Sequence, residues 1–177
     1  MKHKDLTQKC LKIKAFIFDV DGVLSDGQVI YNNSKVETKN FNIKDGWAIV
    51  LLKKLGFTTG IITGRSSEIV AYRAKELKVD YLVQGKLEKL AYYNEFKVQF
   101  GFQDENIAYI GDDLIDLPIL VRCGFSGAPA DCVSEVKDVV DFISFFNGGN
   151  GAAREFIETV LKEQGKWQAI IDEYLKI

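Results

Sequence analysis

The sequence contains little histidine and cysteine, and each shortage excludes a kind of chemistry. His3 is the single histidine, in an N-terminal stretch expected to fray, which excludes Ser-His-Asp or Cys-His catalysis and a His-ligated zinc site. The three cysteines, Cys10, Cys123 and Cys132, lack metal-site spacing and are expected to be free, buried thiols. Any chemistry must therefore depend on carboxylates, lysines and hydroxyl groups.

An excess of positive charge and long hydrophobic runs are also missing. The chain has 23 basic and 25 acidic side chains, with a net charge of −2, so no basic surplus is available for a nucleic-acid partner. The longest apolar runs have the length of strands, far short of the roughly 20 residues that a membrane span needs. Residues 1–14 lack the continuous apolar stretch of a signal peptide. We therefore expect a cytoplasmic protein with no membrane partner.

The chain alternates short apolar runs with longer amphipathic stretches. Its 177 residues are enough for one domain, which we expect to span residues 1–177. The pattern predicts a Rossmann-like α/β fold, a three-layer α/β/α sandwich with a central parallel sheet and a small β-hairpin. The predicted strands are 13–18, 57–62, 81–83, 107–110, 124–128 and 139–142. The predicted hairpin strands are 28–31 and 35–41. The predicted helices are 45–55, one from about 66, 87–100, 114–123 and 152–164, followed by a final segment at 166–177.

Polar side chains of related chemistry follow each of the four strongest strands. In parallel sheets, ligands bind beyond the carboxyl ends of the strands, so these side chains are expected to share one crevice. Each set alone has an ordinary explanation as a turn, a helix cap or a solvated lysine. Their joint occurrence in this order predicts a catalytic site. In chain order the sets are Asp19 and Asp21; Thr63, Gly64 and Arg65; Lys86 and Lys89; Asp112, Asp113 and Asp116.

The acidic sets predict a magnesium site. Asp19 and Asp21 are two positions apart, so in extended backbone both carboxylates would point the same way. Two carboxylates in one crevice repel each other unless a cation lies near them. Asp112 or Asp113 would add a further oxygen ligand, and a site made only of oxygen atoms suits Mg²⁺. The lysine and threonine of the other strand ends would then contact phosphoryl oxygens.

Four segments resemble the motifs of the haloacid dehalogenase superfamily: DVDGVLSDG at 19–27, ITGR at 62–65, Lys89, and GDDLID at 111–116. The resemblance covers nearly the whole chain in order. Within the superfamily, FNIKDG at 41–46, GGNGAARE at 148–155 and QGKW at 164–167 resemble phosphatases of 3-deoxy-D-manno-octulosonate 8-phosphate (KDO 8-phosphate). Such enzymes serve lipopolysaccharide sugar synthesis in Gram-negative bacteria.

The resemblance implies a role for each motif. Asp19 would attack phosphorus and form an aspartyl-phosphate, and Asp21 would protonate the leaving oxygen and later deprotonate the attacking water. Mg²⁺ would be held by the Asp19 carboxylate, the Asp21 main-chain carbonyl and Asp112. Thr63 and Lys89 would bind the phosphoryl group.

The resemblance also implies residues around this centre. Asp113 and Asp116 would orient Lys89 and metal-bound waters from outside the ligand set. Motif position favours Lys89 over Lys86 as the phosphate lysine, but either can be presented by the first helical turn. Contacts to a sugar acid phosphate would come from Asn42, Ile43, Lys44, Asp45, Gly46, Gly64, Arg65 and Arg73, with an arginine supplying the bidentate partner of the sugar carboxylate.

The chain has room only for a hairpin between residues 26 and 45, so no cap domain is expected to cover the site. In the resembling family a homotetramer closes the site, and neighbouring subunits supply loops and the C-terminal tail. The resemblance therefore implies a homotetramer here. Hydrophobic hairpin residues fit an inter-subunit surface, although half-buried strand residues are their ordinary explanation: Val29, Ile30, Tyr31 and Val36.

Three other functions remain open at this point. The nearest is a phosphatase for a nine-carbon analogue, 2-keto-3-deoxynononate 9-phosphate, on the same scaffold. A second is a signalling receiver domain, but there the phosphoacceptor follows a later strand, whereas here Asp21 follows Asp19 directly and another acidic cluster follows the fourth strand. A third is a non-catalytic scaffold domain, which fits least well because all the catalytic residue types are present.

Overall fold

The computed structural model describes residues 2–176, and the side chains of residues 6–176. Within these residues the strands are, in chain order, β1 (Ala15–Phe18), β2 (Ile30–Tyr31), β3 (Glu37–Thr38), β4 (Thr58–Ile62), β5 (Tyr81–Val83), β6 (Ile107–Ile110), β7 (Phe125–Ala128) and β8 (Phe142–Ile143). The helices are α1 (Lys2–Leu11), α2 (Ile43–Lys54), α3 (Glu68–Glu76), α4 (Lys89–Phe100), α5 (Leu117–Leu120), α6 (Ser134–Lys137), α7 (Ala152–Glu163) and α8 (Trp167–Leu175).

Six strands form one parallel sheet in the order β5-β4-β1-β6-β7-β8. Strand β1 lies between β4 and β6, and its last residue, Phe18, is in register with Ile61 and Ile110. The carboxyl ends of these three strands therefore reach the same edge of the sheet. The separate strands β2 and β3 form the antiparallel hairpin that the turn residues predict.

The alternation of side chains along β1 divides the core between the two faces of the sheet. Phe16 and Phe18 lie on one face, in a cluster with buried residues of α2 and α7. Ala15 and Ile17 lie on the other face, in a cluster that includes Tyr93 of α4. Because both faces are covered, the two middle strands of the sheet, β1 and β6, carry no polar side-chain group other than the Tyr109 hydroxyl, as is typical of parallel sheets. The predicted Rossmann-like three-layer fold is confirmed.

The predicted bounds of β5 and β6 agree with the structure, most of the other predicted bounds differ by one to three residues, and three elements differ in a more informative way. Helix α2 begins at Ile43 rather than residue 45, because the side chain of Asn42 accepts from Lys44 N and caps it. The helix predicted at 114–123 is a 3₁₀ turn followed by the short α5. The last strand is 142–143 rather than 139–142, because Phe142 is the residue that pairs with Gly127 of β7.

The N-terminal stretch was expected to fray, and that prediction was wrong because residues 2–11 form α1. Leu6 packs against the core and Cys10 is buried in it. The side chain of His3 lies outside the described residues. The three cysteines are free, and Cys10 and Cys132 are buried as predicted, whereas Cys123 is only partly buried.

Candidate active site

The parallel register places the predicted strand-end residues at one edge of the sheet. Asp19 follows β1 directly, Thr63 follows β4, and Asp112 comes two positions after the end of β6. Lys89 is the first residue of α4, after the loop that leaves β5. These side chains approach one another because the strands that carry them are neighbours in the sheet, although they are far apart in the sequence.

A buried lysine lies between two carboxylates at the centre of this edge. Lys89 Nζ is 2.9 Å from Asp19 Oδ2 and 2.7 Å from Asp116 Oδ1. Lys89 is only 1% exposed and Asp116 is fully buried. Lys86, the other candidate lysine, lies instead 5.7 Å from the centre of the Tyr92 ring. The lysine that reaches the predicted nucleophile is therefore Lys89.

Asp116 accepts hydrogen bonds on both carboxylate oxygens. The Tyr109 hydroxyl donates to Oδ1 at 2.5 Å, beside the bond from Lys89. The main-chain N–H groups of Asp112 and Asp113 donate to Oδ2 at 3.1 and 3.3 Å. Sequence reasoning missed Tyr109, and its one signal was a hydroxyl group in an otherwise aliphatic strand beside the GDD motif. Asp116 is thus held by four donors, and one of them is the cation that also contacts Asp19.

Three carboxylates provide a set of oxygen atoms of the kind that holds a metal ion. Asp19, Asp112 and Asp116 each place one carboxylate oxygen within 4.8 Å of the others. Asp19 Oδ1 and Asp112 Oδ1 are buried and have no hydrogen-bond partner among the described residues. A buried carboxylate oxygen without a partner is unfavourable, and oxygen donors of this type suit Mg²⁺. The free oxygens of Asp19 and Asp112 therefore fit the predicted metal ion.

The proximity of these charges shifts their pKa values. Burial, with the nearby Asp116 carboxylate, raises the pKa of Asp19 to about 7. Burial and the Asp19 and Asp116 carboxylates raise the pKa of Asp112 to about 8. Burial opposes the charge of Lys89, but the Asp19 and Asp116 carboxylates still raise its pKa above the ordinary value. The site therefore holds more negative charge than Lys89 alone can balance, and a divalent cation would relieve that excess.

Gly22 allows Asp112 to approach the loop that follows Asp19. Its φ of +85° is a conformation that favours glycine, and a Cβ atom there would lie 2.1 Å from Asp112 Oδ2. A second glycine, Gly148, packs against the same loop, since its Cβ atom would lie 1.8 Å from the carbonyl oxygen of Gly22. Gly149 N also donates to the Val23 carbonyl at 2.9 Å. Two glycines from distant parts of the chain thus meet beside the carboxylates.

Asp21 faces a different set of partners. The chain turns at Val20, whose carbonyl accepts from the main-chain N–H groups of the loop, so the extended backbone expected through Asp21 was wrong. The Asp21 carboxylate forms an ion pair with Lys39 of the hairpin, and Arg65 Nε lies 3.9 Å from Asp21 Oδ2. Arg65 also donates to Glu37 Oε1 at 2.7 Å. Sequence reasoning missed Glu37 and Lys39, although their spacing of two on a strand puts both side chains on one face.

The structure places Thr63 and Gly64 at the rim of the same edge. Thr63 is buried, and its main-chain N–H donates to the Val83 carbonyl at 3.0 Å. A Cβ atom on Gly64 would lie 3.2 Å from a methyl group of Leu87 and 3.4 Å from one of Ile115. Leu87 is 68% exposed and Ile115 is 36% exposed, so two exposed apolar side chains flank Gly64.

The predicted sugar-binding segment contacts α3 and the start of α7. Ile43 and Lys44 are exposed, and Gly46 packs closely against the guanidinium of Arg73. The buried Asp45 carboxylate accepts instead from Gly151 N at 3.2 Å and Arg154 N at 2.7 Å. Arg73 forms an ion pair with Glu76. The structure therefore joins Asp45 to the start of α7 rather than to the carboxylate cluster.

Asp113, the remaining predicted residue, is exposed and caps the 3₁₀ turn by accepting from Leu114 N.

The sequence and the fold are both similar to those of known phosphatases. No family model matches the chain. The 3-deoxy-D-manno-octulosonate 8-phosphate phosphatase KdsC of Yersinia pestis is 38% identical over 162 residues, covering 92% of this chain and 87% of the relative. KdsC of Haemophilus influenzae is 40% identical over 161 residues, covering 91% and 89%. A crystal structure of the enzyme from Moraxella catarrhalis, in complex with magnesium, phosphate and KDO, has a TM-score of 0.94 and 42% identity over 97% of this chain and 98% of that one.

The parallel sheet, the aspartates beyond its central strands and the buried lysine define a phosphatase of the haloacid dehalogenase superfamily, as the motifs predicted. Within this superfamily, the chain is nearly 40% identical to enzymes named KdsC over nine-tenths of its length. The chain belongs to the KdsC family.

Proposed function

We propose that the protein hydrolyses KDO 8-phosphate to KDO and inorganic phosphate in a magnesium-dependent reaction of lipopolysaccharide sugar synthesis. One observation carries the proposal: Asp19 and Asp112 each present a buried oxygen without a partner, beside the Lys89 cation. Such an arrangement accepts a divalent cation and a phosphoryl group together. Homology to enzymes named for KDO 8-phosphate supports the choice of sugar.

The reaction proceeds in two displacements. In the first, a carboxylate oxygen of Asp19 forms a bond to phosphorus while the bond between phosphorus and the sugar oxygen breaks, and Asp21 gives its proton to that oxygen. In the second, water attacks the aspartyl-phosphate, Asp21 takes the water's proton, and the bond between phosphorus and Asp19 breaks to release phosphate. Asp19, Asp112 and the main-chain carbonyl of Asp21 would hold Mg²⁺, whose charge would offset the negative charge of the nucleophile and the phosphate.

Lys89 and Thr63 bind the transferring phosphoryl group in this proposal. Lys89 is already directed at Asp19 by its second ion pair with Asp116, so its ammonium needs little reorganisation when phosphate arrives. Asp113 contributes by capping the turn that carries Asp116. These contacts favour the charge distribution of the transition state because the donors are fixed before substrate binds.

The sugar acid binds outside the phosphoryl site. Arg65 or Arg73 supplies the guanidinium for the sugar carboxylate, and either must exchange a present carboxylate partner, Glu37 or Glu76, for the ligand. The segment from Asn42 to Gly46 and the main chain at Gly64 complete the proposed sugar contacts. Within that segment Asp45 acts indirectly, by fixing the start of α7.

The proposal includes a homotetramer in the cytoplasm. Three apolar hairpin side chains support an interface, since Val29 is 47% exposed, Tyr31 58% and Val36 56%. Within the described residues, every helix is too short or too polar to cross a lipid bilayer. Sedimentation equilibrium tests the assembly: a monomer at micromolar concentration would contradict it, and Tyr31→Ser with Val36→Ser is expected to release subunits.

Phosphate release from a panel of substrates tests the reaction. We expect Mg²⁺-dependent turnover of KDO 8-phosphate. Turnover of 2-keto-3-deoxynononate 9-phosphate should be slower than that of KDO 8-phosphate, and hexose phosphates should be turned over little. Asp19→Asn is expected to lose turnover and to remain folded. Preference for the nine-carbon substrate would keep the mechanism and change the pathway. If no substrate of the panel releases phosphate, the phosphatase proposal is refuted and a receiver or scaffold domain is favoured.

A further inference from the structure

The hairpin carries a lysine whose burial needs an explanation. The Lys39 side chain is only 1% exposed, although it directly follows Thr38, the exposed last residue of β3. A buried ammonium is unfavourable unless carboxylates pair with it. Lys39 Nζ forms an ion pair with Asp21 Oδ1 and lies 3.4 Å from Glu37 Oε1. The hairpin thus delivers a cation to one oxygen of Asp21.

The other oxygen of Asp21 faces a second cation from a different element. Arg65, just past β4, places Nε 3.9 Å from Asp21 Oδ2 and donates to Glu37. Glu37 therefore bridges the two cations, and Asp21 lies between them. The two cations differ in exposure, because the Arg65 side chain is 43% exposed whereas Lys39 is enclosed. Water and salt screen the Arg65 contact more strongly, so Lys39 provides the firmer restraint on the Asp21 carboxylate.

We propose that Lys39 is a positioning residue for proton transfer, holding the Asp21 carboxylate in the orientation from which it serves the leaving oxygen. The inference rests on the proposed function and adds a residue to it. Asp21 lies in a turn and its side chain is 22% exposed, so without a partner it would sample several rotamers. Contact of Oδ1 with the buried ammonium selects one of them and leaves Oδ2, 3.9 Å from Arg65 Nε, as the oxygen that carries the proton. The hairpin therefore acts on the chemistry through Asp21, without touching phosphorus.

The leaving group distinguishes this role from simple attachment of the hairpin. In the first displacement the bond between phosphorus and oxygen breaks, its electron pair stays on the leaving oxygen, and the Asp21 proton moves to that oxygen. An alkoxide such as that of a sugar needs the proton, whereas p-nitrophenolate is a stable anion without it. Loss of positioning should therefore slow release of the sugar far more than release of p-nitrophenol.

The experiment compares both leaving groups in Lys39→Met, Lys39→Gln and Lys39→Arg. The first turnover is followed by rapid mixing at saturating Mg²⁺, so that hydrolysis of the aspartyl-phosphate does not enter the rate. Lys35→Met is the matched control, because Lys35 is an exposed lysine in the turn of the same hairpin. Asp21→Asn removes the general acid and therefore sets the upper limit of the rate loss, which is about 10²–10⁴-fold for general acid catalysis.

We expect Lys39→Met and Lys39→Gln to slow the first turnover of KDO 8-phosphate at least about tenfold, within that limit. Release of p-nitrophenol should change less than about threefold, and Lys39→Arg should recover most of the loss. Equal losses with both substrates, or no loss with either, would overturn the inference. If Lys39→Met does not fold, the Lys39→Gln and Lys39→Arg comparison decides. Failure of the proposed function is visible separately, because wild-type protein would then release no phosphate from KDO 8-phosphate.

Discussion

Replacement of Lys89 by methionine removes the cation that Asp19 and Asp116 share. Methionine keeps most of the aliphatic length of the lysine, so the packing around α4 changes little. The two carboxylates then lie in a buried site without their common partner, which was 2.9 Å from one and 2.7 Å from the other. We therefore expect a large loss of stability as well as a loss of turnover.

The size of the loss follows from the burial of the site. Removing one partner of a buried ion pair destabilises a protein by about 3–5 kcal/mol. A chain of 177 residues has an unfolding entropy near 0.37 kcal/mol per kelvin, at about 2.1 cal/mol/K per residue. The melting temperature of Lys89→Met should therefore fall by roughly 8–14 °C without Mg²⁺ at pH 8, which is above the pKa of about 7 that Asp19 has in the wild-type protein.

A second substitution tests the electrostatic origin of that loss. In Lys89→Met with Asp116→Asn, the asparagine Oδ1 can accept from the main-chain N–H groups of Asp112 and Asp113, and its amide can donate to the Tyr109 hydroxyl. One buried charge is also removed. The double variant should therefore melt above Lys89→Met alone, although both lack turnover.

Thermal unfolding followed by circular dichroism measures these differences. Lys86→Met is the control, because Lys86 is exposed and its replacement should change stability by no more than about 0.5 kcal/mol. A Lys89→Met protein that melts within about 2 °C of wild type would refute the reasoning, since that shift corresponds to less than about 1 kcal/mol. A double variant that melts below the single variant would refute it equally.

Three further predictions concern the loops and the metal. Gly22→Ala should fold but lower Mg²⁺ affinity or turnover about 10–100-fold, because its Cβ atom displaces Asp112; unchanged Mg²⁺ titration would contradict this. The pKa values of Asp19 and Asp112, raised to about 7 and 8, favour the folded metal-free protein at low pH, and this stability is lost as pH rises through those values. The Mg²⁺-induced rise in melting temperature should therefore be larger at pH 8.5 than at pH 6.5, and an equal rise would contradict it. Asp45→Ala should destabilise by about 1–3 kcal/mol in denaturant unfolding by leaving the Gly151 and Arg154 N–H groups without their acceptor, and a smaller loss would show that water replaces it.

The sequence was most informative where apolar runs end in polar residues. The bounds of β5 and β6 could be predicted because each is a short apolar run with clear limits. Helix α1 was not predicted, because Leu6 and Cys10 provide only one apolar pair at helical spacing and the stability of the helix depends on packing against the core. Local pattern therefore predicts strands better than it predicts a helix that tertiary contacts stabilise.

Part of the candidate site could likewise be predicted from the sequence, and part could not. The convergence of Asp19, Thr63 and Asp112 follows from parallel strands, which place their carboxyl ends together. The ion pair between Asp21 and Lys39 depends instead on how the hairpin is placed relative to the loop after β1. No local sequence pattern encodes that placement. The bond from Tyr109 to Asp116 likewise requires the geometry of the turn after β6. Sequence thus indicated which residue types meet, but not how they pair.

The close packing of Gly148 against the Gly22 carbonyl has a consequence for biosynthesis. A growing chain that ends before Gly148 already contains every acidic and basic group of the proposed catalytic centre. It lacks the segment that presses the Gly22 loop into place beside Asp112, and it lacks Gly151 and Arg154, whose N–H groups hold Asp45. We therefore expect ribosome-bound chains of that length to have no phosphatase activity. Activity would begin only when the segment from Gly148 to Arg154 has left the exit tunnel and docked.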